Sequence, residues 1–307
     1  MKILVVGAGS VGGYFGARLA QAGRDVTFLV RPSRMKQLQR DSLRILSPHG
    51  DLTIKPQTVS SDQIQSPYDV IFLSVKSLAL DSAIADMAPA VGAETMIYPV
   101  LNGMRHIDIL GRRFGPAAVL GGVCMVSAEL DSQGRIVQIN ETQKLIYGEQ
   151  NGQSTPRIQQ LDKTFRGAGF DTELSTGIMQ AMWQKWVFIA TIGLVTCLFN
   201  APVGEVNAVP YGEETALQSL DECASIAALW GHPVPEPFLD NIRRQLAAKG
   251  SRLTSSMYRD MQEKHKVEVD TILGDLLDRG RSHNLKTPLL QAACVRLQAY
   301  QNSVSSS

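Results

Sequence analysis

The chain has 307 residues, 44% hydrophobic and 19% charged, with a formal net charge of +1. That is the composition of a soluble globular protein long enough for two domains, and its charge balance gives no attraction to nucleic acid or a membrane surface. The four cysteines (Cys124, Cys197, Cys223, Cys294) and the five histidines have no metal-ligand or redox spacing. No metal is therefore expected, and the thiols read as reduced and buried in a cytoplasmic protein. The first strand starts at Lys2, leaving no room for a signal peptide, and the longest apolar run, Trp186 to Phe199, is too short to span a bilayer.

Lys2-Ile3-Leu4-Val5-Val6 is a β-branched apolar run that predicts a buried strand. It enters Gly7-Ala8-Gly9-Ser10-Val11-Gly12 and then a helical pattern with Phe15, Leu19 and Ala20 that stops at Gly23. Strand, glycine turn and helix form the context in which G-x-G-x-x-G means dinucleotide binding. Gly7 permits the tight turn, Gly9 admits a pyrophosphate close to the backbone, and Gly12 lets the helix pack on the strand. The helix N-terminus at Ser10 and Val11 then turns free N–H groups towards the anion. A structural turn with no ligand is the alternative.

Asp25 to Val30 predicts the second parallel strand, broken by Arg31-Pro32, and residues 34–41 a short exposed helix. Leu43 to Ile54, centred on Pro48-His49-Gly50-Asp51, predicts a hairpin. A strand over Asp69 to Val75 ends in Lys76, a helix covers 78–87, and a strand from Thr95 to Val100 ends in Leu101-Asn102-Gly103. The alternation argues for an α/β, doubly wound, Rossmann-type parallel sheet, which binds ligands outside the carboxyl ends of its strands. Gly7–Gly12, Arg31, Lys76 and Asn102 each follow a strand, so four stretches point at one crevice. Residues 117–149 are β-rich and hairpin-like, with Asp131-Ser132-Gln133-Gly134 as the turn, followed by a helix over 157–166 and a strand over 170–174. Beyond Ser175 the pattern is helical: 177–199, 212–230, 235–248, 256–282 and 286–302. This predicts a nucleotide-binding domain over 1–174 and an all-α domain over 175–307.

NAD-binding units usually place Asp or Glu about 20 residues after the glycines, to hold the ribose 2′-hydroxyl. Arg31 stands there instead, with Arg34 and Lys36 behind it. A guanidinium can take a 2′-phosphate bidentately, which favours NADP; solvated surface cations are the other reading. Lys185 opens the apolar helix and shares a face with Ile189, Gly193 and Thr196. Taken alone, a lysine at the wet end of such a helix is a snorkelling surface residue.

Val6-Gly7-Ala8-Gly9-Ser10-Val11-Gly12-Gly13, Ser74-Val75-Lys76-Ser77, Leu101-Asn102-Gly103-Met104, Trp183-x-Lys185, Thr254-Ser255-Ser256-Met257 and Glu268-Val269-Asp270 occur in this order. In this set the chain resembles the ketopantoate reductases (2-dehydropantoate 2-reductases of pantothenate biosynthesis) through about residue 300. The resemblance implies a Rossmann domain plus a helical domain, with NADPH reducing a 2-oxo acid in the cleft between them and a homodimer as a possible assembly. By match of motif, Lys185 is the catalytic lysine that protonates the carbonyl oxygen, and Glu268 the glutamate near the substrate hydroxyl. Ser256 matches the serine that binds the substrate carboxylate, and Lys76 and Asn102 match residues near cofactor and substrate. Plainer roles stand beside these. Ser255 or Ser256 caps a helix, Glu268 pairs with Lys264 one helical turn away, and Asn102-Gly103 is a turn.

The founding type of the family has asparagines four and eight residues after the lysine, and a third before a Gly-Glu pair. Ile189, Gly193 and Val203 stand at those positions here. The fold, cofactor and lysine chemistry survive this change, while the substrate is left open between ketopantoate and a less polar 2-oxo acid or other carbonyl compound. A catalytically silent NADP-binding sensor or scaffold is the rival from another class, and it would have no need of both Lys185 and Glu268.

Overall fold

Ile3, Leu4, Val5 and Val6 are each at most 3% exposed, so the strand they form must be covered on both faces. In the computed structural model, which describes residues 1–305, that strand is the centre of a parallel sheet. The chain order is β1 (Lys2–Val6), α1 (Ser10–Gln21), β2 (Asp25–Leu29), α2 (Pro32–Asp41), β3 (Leu43–Leu46), β4 (Leu52–Ile54) and β5 (Gln57–Val59). It continues through β6 (Val70–Leu73), α3 (Leu80–Met87), β7 (Met96–Pro99), α4 (Arg105–Phe114), β8 (Gly121–Leu130), β9 (Ile136–Gly148), α5 (Pro156–Phe165) and β10 (Asp171–Leu174). The all-parallel sheet runs β5-β2-β1-β6-β7, the doubly wound arrangement expected from the alternation. Its edge strand β5 has only three residues, too few for a periodic signal.

A second sheet, β10-β9-β3-β4, carries β8 antiparallel on β9, with a register shift between Val126 and Ala128. Aromatic rings fill the space beneath: Phe15 meets Phe170 edge-on at 4.9 Å, and Tyr147 meets Phe165 at 5.5 Å. By packing, Met1–Leu101 and His106–Ile178 form one compact unit. Asn102–Arg105 join the chain from Met179 onward in a second.

The second unit comprises α6 (Ile178–Phe199), α7 (Val203–Val206), α8 (Gly212–Leu229), α9 (Glu236–Leu246), α10 (Ser256–Gln262), a π-helical turn (Asp270–Gly274), α11 (Asp275–Ser282) and α12 (Pro288–Ser305). By length and composition α6 could cross a membrane, yet 67% of its most apolar window is buried inside the protein, as in a core helix. Its two buried threonines satisfy themselves, Thr191 donating to the Val187 carbonyl at 2.8 Å and Thr196 to that of Ile192 at 2.6 Å.

The helix expected over 256–282 is broken. α10 ends at Gln262, Lys264 adopts a left-handed φ of 57°, and the chain from His265 to Glu268 is not helical. Val267 and Val269 are both fully buried, a two-residue spacing that an α-helix would place on different faces. The Gln301 side chain accepts from the Val267 N–H at 2.9 Å and donates to its carbonyl at 3.2 Å, satisfying the extended backbone.

Candidate active site

In the first unit the glycine turn is crowded where packing needs it and open where a ligand would need it. Gly7 has φ +96°, a region closed to most side chains. A Cβ on Gly12 would collide with the Gly7 carbonyl oxygen and the Ser74 hydroxyl, so only glycine lets α1 start this close to the strand ends. Beside Gly9, no atom of the described residues other than its chain neighbours lies within 4 Å of where a Cβ would sit. No side chain caps the start of α1 at Ser10, and no acidic residue occupies its first turn, which includes Val11. Open backbone, uncapped N–H groups and the absence of a carboxylate fit a dinucleotide pyrophosphate.

Ser74, just past β6, is a residue whose role the motif alone did not disclose. Its Oγ lies 3.2 and 3.3 Å from the Val6 and Gly7 carbonyl oxygens, tying the β6 end to the turn. Arg31 and Arg34, neighbours in sequence, have different destinations. Arg31 precedes α2, is exposed, and donates to the Ser82 hydroxyl at 3.0 Å. Arg34 folds back onto the glycine turn, donating to the Ala8 carbonyl at 2.9 Å and to Gln37 at 2.7 Å. Burial pushes its guanidinium pKa down. Arg34 is thus part of the turn's scaffold, and Arg31 is the arginine on the surface after β2. Lys76, after β6, is exposed at the start of a short 3-10 turn.

In the second unit the remaining residues gather around α6. Gly103 has φ +77°, and a Cβ there would collide with the Thr271 carbonyl oxygen of the π turn. The Trp186 indole N–H donates to the next carbonyl, that of Ile272, at 2.8 Å. These contacts bring together the Asn102 loop, the helix carrying Lys185 and the segment that follows Glu268. Lys185, Asn102 and Glu268 are all half-buried. Lys264 and Glu268 do not share a helix, so the one-turn helical spacing considered for them is absent. π turns are frequent at functional sites, and this one opens two residues after Glu268.

Of the two serines, Ser255 is the structural one. Its hydroxyl accepts from the Tyr258 N–H at 3.0 Å and lies 3.0 Å from Thr196 Oγ1 on α6. Ser256 is left exposed at the first position of α10. The next residue, Met257, is 1% exposed and fills the space beside Gly193, its Cε 2.5 Å from where a Cβ would stand. The glycine in the middle of α6 therefore accommodates a neighbouring side chain. Ile189, one turn after Lys185, is half-buried, and Val203 is fully buried in α7.

Two family models match: Ketopantoate reductase PanE/ApbA over residues 3–152, and its C-terminal model over residues 177–301. An uncharacterized oxidoreductase, YkpB of Bacillus subtilis (strain 168), is 35% identical over 301 residues, covering 98% of this chain and 99% of its own. The crystal structure of 2-dehydropantoate 2-reductase from Geobacter metallireducens GS-15 superposes with a TM-score of 0.88 at 25% identity, covering 97% of this chain and 99% of that one. D-mandelate dehydrogenase with NADH and anilino(oxo)acetate superposes with a TM-score of 0.87, covering 99% and 100%, and at 20% identity it shares the fold alone. With family models matched on both sides of the unit boundary, the chain belongs to the ketopantoate reductase family, NAD(P)-dependent oxidoreductases acting on CH-OH groups.

Proposed function

We propose that this oxidoreductase uses NADPH to reduce a 2-oxo acid to the 2-hydroxy acid, with Lys185 as the proton donor. The observation that carries the reading is the meeting of the Asn102 loop and the segment after Glu268 at Trp186, next to Lys185 on α6, with the start of α10 held on the same helix through Ser255. The first unit would hold the dinucleotide, with its pyrophosphate on Gly7, Gly9, Ser10, Val11 and Gly12 and a 2′-phosphate on Arg31. NADPH supplies the hydride when bound. The Lys185 ammonium holds the proton that the carbonyl oxygen takes as negative charge develops on it, which is where a positioned donor is most effective. Ser256 holds the substrate carboxylate, Glu268 accepts from a hydroxyl, and Lys76 and Asn102 orient cofactor and substrate. The four buried cysteines form no disulfide among the described residues, which fits a reducing cytoplasm.

Beyond the 2-oxo acid class, Ile189 favours a substrate less polar than ketopantoate. Where the founding type offers two amides, this chain offers a branched hydrocarbon and a glycine whose side-chain space Met257 fills. A substrate hydroxyl against Ile189 would lose water without gaining a partner, at about 1–3 kcal/mol.

The test is NADPH oxidation with ketopantoate and with longer apolar 2-oxo acids such as ketoisocaproate, for the wild type and Lys185→Ala. Lys185→Ala should lower kcat at least about a hundredfold while NADPH still binds. Near-normal turnover would return Lys185 to a surface role. A tenfold or greater advantage of ketopantoate in kcat/KM would sink the argument for a less polar substrate.

A further inference from the structure

The chain's three tryptophans surround one guanidinium. The Arg279 Cζ lies 4.6 Å from the ring centroid of Trp230, 5.5 Å from that of Trp186 and 5.8 Å from that of Trp183. The rings touch one another, Trp183 and Trp186 at 4.9 Å and Trp183 and Trp230 stacked at 6.4 Å. The Arg279 side chain is only 12% exposed, and its Nε lies 3.2 Å from a carboxylate oxygen of Asp275, which is 15% exposed. A charge this deep needs compensation. Asp275 supplies the opposite charge, and the ring faces supply the quadrupole attraction.

This cage touches the proposed chemistry from two sides. Trp183 and Trp186 belong to α6 and flank Lys185 in sequence, whereas Asp275 and Arg279 belong to α11, which continues directly from the π turn after Glu268. The Trp186 bond to the Ile272 carbonyl joins α6 to the π turn that leads into α11. At about 100° per residue, Trp183 and Trp186 project about 60° apart. Lys185 leaves the helix about 100° away from Trp186. Pinning the tryptophan face therefore fixes the direction in which Lys185 projects.

We propose that Arg279 is a positioning residue for the reduction: it clamps the tryptophan face of α6 against α11 and so holds Lys185 in register with Glu268. The inference rests on the roles assigned to Lys185 and Glu268 above. Arg279 acts only through the helices it joins.

The experiment compares wild type, Arg279→Met, Arg279→Lys and Lys185→Ala. It measures NADPH oxidation with ketopantoate and ketoisocaproate, NADPH affinity by titration, and tryptophan emission. Arg279→Met should shift the emission and lower kcat at least tenfold, with KM and the NADPH dissociation constant changed less than threefold. Arg279→Lys, which keeps the cation without the planar fork, should recover part of the lost kcat. A merely structural role would leave kcat of the folded variant unchanged, or would lower kcat and NADPH affinity together; either result overturns the clamp. If Lys185→Ala is inactive while Arg279→Met turns over within twofold of wild type, the clamp alone is wrong. If Lys185→Ala is near wild type, both fall. Should Arg279→Met fail to fold, the isosteric Asp275→Asn takes its place: the same kcat loss supports the clamp, and an unchanged kcat overturns it.

Discussion

Gly193→Ala should change sign with the residue at position 257. Inside a helix, alanine is favoured over glycine by about 1 kcal/mol. Here the new methyl would lie 2.5 Å from the Met257 Cε, at least about 1 Å inside ordinary carbon–carbon contact. Met257 is 1% exposed, so its methyl must move through packed surroundings, which costs about 1–3 kcal/mol. The net effect is a destabilisation of about 0–2 kcal/mol. In a Met257→Ala background the obstacle is gone. There Gly193→Ala should stabilise by about 1 kcal/mol, although Met257→Ala alone costs about 2–5 kcal/mol. The coupling in the double-mutant cycle should be about 1–3 kcal/mol. Urea unfolding followed by circular dichroism measures all four proteins. Equal stabilisation by Gly193→Ala in both backgrounds would refute the assignment of that space to Met257. The same geometry governs function: Gly193→Asn restores an amide of the founding type only by evicting Met257, so it should not improve kcat/KM for ketopantoate.

Arg31→Ala should raise the dissociation constant for NADPH at least tenfold and barely alter that for NADH, because one charge-assisted contact to phosphate is worth about 1.5–3 kcal/mol; equal weakening of both would remove Arg31 from the 2′-phosphate site. Glu149 sits in a site where desolvation alone would raise its pKa. Bonds from Arg157 at 2.6 and 2.7 Å and from Thr155 at 2.6 Å outweigh this and hold the carboxyl below its ordinary 4.5. A depressed folded-state pKa contributes stability that is complete above the unfolded value and lost as pH falls through the folded one. Glu149→Gln should therefore cost about 2 kcal/mol near neutrality, and the difference from wild type should shrink as pH drops below 4.5. A difference that stays constant with pH in urea titrations would contradict the ion-pair account.

The parallel sheet was legible in β1, β2, β6 and β7, each of which carries its own signal, though not in the three-residue β5, and the glycine turn was legible because its steric demands are local. Gly7 at φ +96° and Gly12 against the Gly7 carbonyl need no knowledge of the rest of the fold. What the sequence left undecided are choices made by distant partners. The helical pattern on both sides of Glu263-Lys264-His265-Lys266 invited one helix over 256–282, and the break depends on Gln301, remote in sequence, satisfying the backbone of Val267. A signal was present: four exposed polar residues offer a helix nothing to bury, and Val267-Glu268-Val269 alternates as extended chain does. Arg31 is marked by its place directly after the second strand, while the different destination of Arg34 is set by the Ala8 carbonyl, which the sequence does not disclose. Gly193 is readable as a missing side chain on the Lys185 face, while what fills its space, the Met257 Cε, comes from another helix. In each case the chemistry-bearing residue type was readable, while its direction was set by a side chain on another element. Arg279 extends the same logic: no motif marks it, because its effect lies in the azimuth of α6 and not in a group it presents.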